Sequence, residues 1–171
     1  MKKNVFDKML DFCSLESYCQ QCREHGERIA LCHGCFDPIH LGHIFHFIEA
    51  SNLADHLIIT ITPDMYVNKG ENRPYFSAQQ RLIMIASLEY VDKCAINLWP
   101  TAVETIRRLL PNYYVKGIDY LNCIESDPGL HAEFNAINET NGIMYFTKTK
   151  KYSSTDLVGE GIIPLFGGKN D

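Results

Sequence analysis

Gly34-Cys35-Phe36-Asp37-Pro38-Ile39-His40-Leu41-Gly42-His43 decides the fold of this chain, because it joins a short apolar run to a segment of helical periodicity. Before it, Arg28-Ile29-Ala30-Leu31-Cys32 reads as a buried strand, while Ile44, Phe47 and Ile48 behind it recur on one helix face. The motif thus occupies a strand-to-helix loop, with His40 in the loop and His43 on the first helical turn. Gly42 lacks the Cβ where backbone must approach a ligand, and the leading N–H groups of the helix favour an anion. Two imidazoles there can donate hydrogen bonds to phosphate oxygens as charge builds during transfer. A lone H-x-G-H carries little information, since a histidine at a strand end is ordinarily a polar surface group. Its specificity comes from the whole string in its strand-loop-helix context.

Strand-like and helix-like segments alternate along the rest of the chain. His56-Leu57-Ile58-Ile59-Thr60-Ile61-Thr62 is β-branched without polar alternation, as in a strand buried on both faces. Ser77 and Gln80 make a capping box before a helix carrying Leu82, Ile85 and Ala86, and Thr101 with Glu104 predicts a second, ending before Pro111. Strands are expected at Lys93–Asn97, Tyr113–Lys116 and Ile143–Phe146, with a helix from Pro128 toward Asn138. The pattern predicts an α/β fold, a Rossmann-like doubly wound parallel sheet of about five strands. Ligands bind such sheets beyond the carboxyl ends of the strands.

Four polar clusters fall at those exits. After the second strand, Lys69 offers a mobile point charge and Arg73 a planar fork, although a solvated loop has the same composition. Arg81, on the first turn of the helix capped by Ser77, opposes the helix dipole unless an anion or carboxylate is near. Beyond the fourth strand, Gly117 permits close backbone approach and Asp119 can accept from ribose hydroxyls or a base amino group; a plain Gly/Asp turn is the alternative. After the last strand, Lys148, Lys150 and Lys151 precede Ser153, Ser154 and Thr155 at the start of a short helix, with Ser153 and Asp156 as its capping box. Lysines and a hydroxyl-rich helix start make a second anion site.

The chain has 171 residues, one domain's worth, enough to bury about two thirds of its unfolded surface. A net charge of −5 argues against general nucleic-acid binding, so any phosphate site must be locally basic. No apolar stretch approaches membrane-spanning length, and Met1-Lys2-Lys3-Asn4 is followed by charged residues rather than a signal-peptide core, so a cytoplasmic location is expected. Seven cysteines include two C-x-x-C pairs, Cys19/Cys22 and Cys32/Cys35. The pairs lie closer together than in four-cysteine zinc sites, and Cys32 falls in a buried strand, so reduced structural cysteines and no protein-held metal are expected. The helix carrying Cys19 and Cys22 is expected to be capped by Ser14 and to end near Gly26.

The ten-residue string resembles the signature of the cytidylyltransferase-like nucleotidyltransferases. Together with Lys69-Gly70, Arg73-Pro74, Gln80-Arg81 through Val91-Asp92, Val115 to Tyr120 and Ser153-Ser154-Thr155, it is most similar to the adenylyltransferase domain of bacterial ADP-heptose synthase. Glycerol-3-phosphate cytidylyltransferase shares the scaffold, with an arginine where this chain has Lys148, and Asp37-Pro38-Ile39-His40 also resembles nicotinate-mononucleotide adenylyltransferase. The resemblance implies a single nucleotidyltransferase domain over 1–171, with a leading helical segment 1–27, a catalytic core 28–158 and a tail 159–171 without a counterpart. It implies transfer of a nucleoside monophosphate from ATP or CTP, with Mg²⁺, onto a phosphorylated sugar or polyol; a nucleotide-binding module without turnover is the rival. The implied catalytic residues are His40, His43, Lys69 and Arg81. Nucleotide binding is implied for Gly34, Cys35, Phe36, Asp37, His40, Gly42, His43, Lys116, Gly117, Asp119, Ser153, Ser154 and Thr155. Lys69, Arg73 and Lys148 are implied for substrate phosphate, Lys148 from beside the Ser-Thr segment that would hold the nucleotide's outer phosphates. No nucleic acid, membrane or second metal is expected, and a homodimer is left open. Pro38 and Lys150-Lys151-Tyr152 depart from the heptose enzymes, the latter toward a more anionic substrate.

Overall fold

Five apolar runs form one parallel sheet: β1 (Ile29–Gly34), β2 (His56–Ile61), β3 (Lys93–Ile96), β4 (Tyr113–Gly117) and β5 (Ile143–Thr147). The structure, a computed structural model, describes residues 4–68 and 70–148. Strand order is β3-β2-β1-β4-β5. β1 pairs with β2 from Ile29↔His56 to Gly34↔Ile61, and with β4 from Ala30↔Tyr113 to Cys32↔Val115. The winding therefore reverses between β1 and β4, and the crevice of such a sheet opens beyond their carboxyl ends.

Alternation along the strands builds two cores. Ile29 and Leu31 of β1, Ile58 of β2 and Tyr114 of β4 pack with α1 (Phe12–Glu24), α4 (Val103–Leu109) and α5 (Pro128–Glu139). Ala30, Cys32, Leu57, Ile59, Ile61 and Val115 face α2 (Leu41–Ser51) and α3 (Ala78–Ala86). Both faces of β1 and β2 are thus covered, which is why their sequences lack polar alternation. Each such Leu or Ile contributes about 1.5–3 kcal/mol by leaving water. Gly142, between α5 and β5, lets the chain pass close to α5 and to the turn before β4: a Cβ there would clash with the Ile137 side chain and lie 2.6 Å from the Pro111 carbonyl oxygen.

Two caps differ from expectation. Asp11, not Ser14, caps α1, and its carboxylate accepts the Ser14 N–H at 2.8 Å. The Thr101/Glu104 box does not form, because Glu104 pairs with Arg107 at 2.9 Å and Ala102 is the cap. The Ala102 N–H donates instead to Glu133 on α5 at 3.3 Å. By contrast, the Ser77/Gln80 box opens α3 as expected, with Ser77 N–H donating to Gln80 at 2.9 Å. The expected Ser153/Asp156 helix lies outside the described residues. Among the described residues, no helix is long and apolar enough to cross a membrane.

Candidate active site

His40 is the N-cap of α2 and His43 sits on its first turn, so both lie beyond the carboxyl end of β1, beside the switch point. The His40 backbone N–H donates to His43 Nδ1 at 3.2 Å, and the two rings stack with centroids 3.7 Å apart. With Nδ1 accepting, the proton of neutral His43 resides on Nε2. Phe36 adopts a left-handed φ of 52° and buries its ring edge-on to His43, at 5.1 Å, and to Phe47, at 5.2 Å. A Cβ on Gly34 would meet that ring at 3.0 Å, so glycine makes room for the aromatic platform under His43. Phe36 and Gly34 are thus supports of the histidine pair.

Asp37 acts as a clamp between two loops. Its side chain is fully buried and accepts the Tyr75 and Phe76 backbone N–H groups at 2.8 and 2.9 Å, beside Arg73 Nε at 3.0 Å. Burial alone raises a carboxyl pKa, but these two N–H groups, with Arg73 and Arg81, hold Asp37 below the usual carboxylate value. Arg73 also donates to the Asp37 carbonyl and lies 4.1 Å over the Tyr75 ring. Its fork therefore straps the loop before α3 onto the first motif.

Arg81 is held by protein partners in the same way. It is fully buried and donates to the carbonyls of Phe76 (3.0 Å), Cys35 (2.6 Å) and Thr62 (2.8 Å) and to the Asp64 carboxylate (2.7 Å). Asp64 is the carboxylate that offsets the unfavourable helix dipole. Arg81 fastens the exits of β1 and β2 to α3. Cys35 joins this lock through its carbonyl.

At the β4 exit, Lys116 Nζ donates to Glu133 at 2.8 Å and lies 4.9 Å over the Tyr120 ring. Its ammonium is turned toward Glu133 on α5. Gly117 is sterically open: an added Cβ would meet nothing nearer than Tyr120 Cδ2 at 4.0 Å. Asp119 follows in the single turn Ile118–Tyr120. Lys148, exposed just past β5, donates its backbone N–H to Glu49 at 2.9 Å. Lys69, Ser153, Ser154 and Thr155 lie outside the described residues.

Three residues missed in the sequence, His33, His46 and Glu49, tie the site together. His46 and Glu49 continue the face of α2 begun by His43, at steps of three residues, and that spacing was the available signal. Thr147 Oγ1 donates to the Lys116 carbonyl at 3.4 Å and is 3.0 Å from His46 Nδ1, so it accepts the His46 proton. Glu49 accepts from Tyr145 Oη at 3.0 Å as well as from Lys148. α2 thereby fixes the exit of β5 directly and that of β4 through Thr147. His33 Nδ1 bonds Thr60 Oγ1 at 2.9 Å at the end of β1.

Burial pushes both His33 and His46 from 6.5 down to about 4. Between these values the unfolded chain binds more protons than the folded one, so stability is complete above the higher value and falls as pH drops toward the lower. Urea unfolding should lose up to about 1.4 kcal/mol per pH unit for each histidine across this window, and His46→Gln should roughly halve the slope. Equal midpoints at neutral and mildly acidic pH would contradict the assignment. Asp37 loses its contribution only at lower pH, below the usual 3.8.

A parallel sheet with stacked H-x-G-H histidines at a helix start beside its switch point suits a nucleotidyltransferase. The comparisons agree: residues 31–160 match the family described as cytidylyltransferase-like, and the chain belongs to that family. The bifunctional protein HldE of Nitrosococcus oceani is 39% identical over 116 residues, covering 67% of this chain and 23% of that protein. HldE of Methylobacillus flagellatus is 35% identical over 116 residues, covering 67% of this chain and 24% of its own length. The chain thus spans about a quarter of the length of these curated relatives. The lipopolysaccharide core biosynthesis protein of Thermoplasma volcanium superposes with a TM-score of 0.59 at 25% identity, over 75% of this chain and all of that one.

Proposed function

We propose that this chain transfers a nucleoside monophosphate from ATP to a phosphorylated sugar or polyol of the heptose 1-phosphate class, releasing pyrophosphate. The stacked His40/His43 pair at the start of α2 carries this reading, with the likeness to HldE proteins and to a lipopolysaccharide core protein as support. An acceptor phosphate oxygen attacks the α-phosphorus while the bond to the β-phosphate oxygen breaks. His43 donates its Nε2 proton as a hydrogen bond to the transferring group, and His40 holds the adjoining phosphate. The backbone at Gly117, open to a ligand, and Asp119 hold the nucleoside, while Ser153, Ser154 and Thr155 hold the outer phosphates. Catalysis is positioning and charge stabilisation, with no covalent enzyme intermediate.

Mg²⁺ fits as an ion carried by the triphosphate. Asp37 is committed to protein donors, and among the described residues the one group of three ligand-type side chains lies at the far end of the sheet, so phosphate oxygens supply most of its ligands. Bound there, it neutralises phosphate charge.

A pyrophosphate-release screen crossing ATP, CTP, GTP and UTP with sugar 1-phosphates, glycerol phosphate and nicotinate mononucleotide tests the reading. ATP with a sugar 1-phosphate should turn over fastest. A preference for CTP with glycerol phosphate would replace both base and acceptor, and absence of pyrophosphate from every pair would end the transfer reading. The two exit lysines should separate the substrates. Lys69→Ala is expected to raise KM for the acceptor and Lys148→Ala for the nucleotide, each about ten- to a hundredfold, as for loss of one charged phosphate contact. Equal changes in both KM values from both variants would mean a shared charge field.

A further inference from the structure

Nucleotidyl transfer leaves the first cysteine pair unused, and the structure divides it. Cys19 is wholly buried in the core under α1, whereas Cys22 reaches the end of that helix beside Glu27 and His56. One ligand atom from each of Cys22, Glu27 and His56 lies within 4.8 Å of the others. His56 Nε2 is 3.0 Å from Glu27 Oε2, and Tyr18 Oη is 2.9 Å from His56 Nδ1. This cluster stands at the amino end of β2, at the opposite end of the sheet from His40 and His43.

We propose that Cys22, Glu27 and His56 form a site for a zinc-class divalent ion that fastens α1 and the segment before β1 to the start of β2. Thiolate, imidazole and carboxylate are a borderline-soft set that selects zinc over magnesium or calcium. One thiolate and one carboxylate balance the charge of a divalent ion. Zinc bonds of about 2.0–2.3 Å place tetrahedral ligands somewhat farther apart than the present His56–Glu27 contact, and the Glu27 side chain, 45% exposed, is free to open it. Tyr18 supplies the outer contact that metal-bound histidines use, since its hydroxyl accepts from Nδ1 once Nε2 takes the metal. Binding releases the Cys22 thiol proton, moves the imidazole proton to Nδ1, and leaves the fourth position to water.

The full chain, loaded with Zn²⁺ and dialysed against metal-free buffer, should retain about one zinc per chain by mass spectrometry. Titration with Co²⁺ should give a thiolate-to-cobalt charge-transfer absorption. Glu27→Gln, at an exposed position that leaves the core intact, should weaken zinc binding at least about tenfold. Cys22→Ser should remove the absorption, whereas His43→Ala should keep both zinc and absorption. Zinc retention no higher than in Cys22→Ser, or zinc that survives Glu27→Gln but is lost in His43→Ala, overturns the proposal.

Discussion

Replacing His43 with alanine should lower kcat about a hundredfold or more, the size expected for one donor aimed at transition-state charge, while KM for the nucleoside triphosphate moves little. The asymmetry follows from geometry. Its Nδ1 accepts the His40 N–H at 3.2 Å, and Phe36 backs the ring, so the position of Nε2–H is set before substrate arrives. A donor held in place in advance strengthens most where charge develops, and this acts on turnover rather than on ground-state binding. Steady-state kinetics with each substrate varied would check this. A folded variant with turnover near wild type would remove His43 from the chemistry.

Arg81→Leu should destabilise the fold by about 3–5 kcal/mol and abolish activity with it, because the carbonyls of Phe76, Cys35 and Thr62 lose a buried charged donor together. Arg81→Lys should recover only part of the loss, since one ammonium cannot reproduce the spread of a guanidinium across three loops. Denaturant midpoints for the two variants measure this. A Leu variant within about 1 kcal/mol of wild type, yet with KM for the nucleotide raised, would return Arg81 to direct phosphate contact.

These two positions differ in how far they can be read from sequence. His43 takes its place from neighbours in the chain: strand residues, a loop and a helix start within one short segment. Arg81 takes its role from Cys35 and Thr62, 46 and 19 residues away. In sequence, a cation on a first helical turn asks for a negative partner, and nothing local says whether that partner is a ligand or Asp64. Lys116 and Glu133 pose the same problem, as do Asp37 and Arg73. In each case a charge that suits a phosphate is satisfied within the protein.

By itself, the sequence determined the alternation of strands and helices, the burial of β1 and β2 on both faces, and the place of His40 and His43 at a helix start. Those features depend on periodicity, capping and glycine, whose physics acts over a few neighbouring residues. Only the tertiary structure decided the strand order that sets β1 beside β4, the locking of Asp37, Arg73 and Arg81 into the loops, and the reach of His46 and Glu49 to the exit of β5. A charge or hydroxyl bonds whichever partner folding brings within about 3 Å, and the sum of all packing contacts fixes that partner, not the residues adjoining it in the chain.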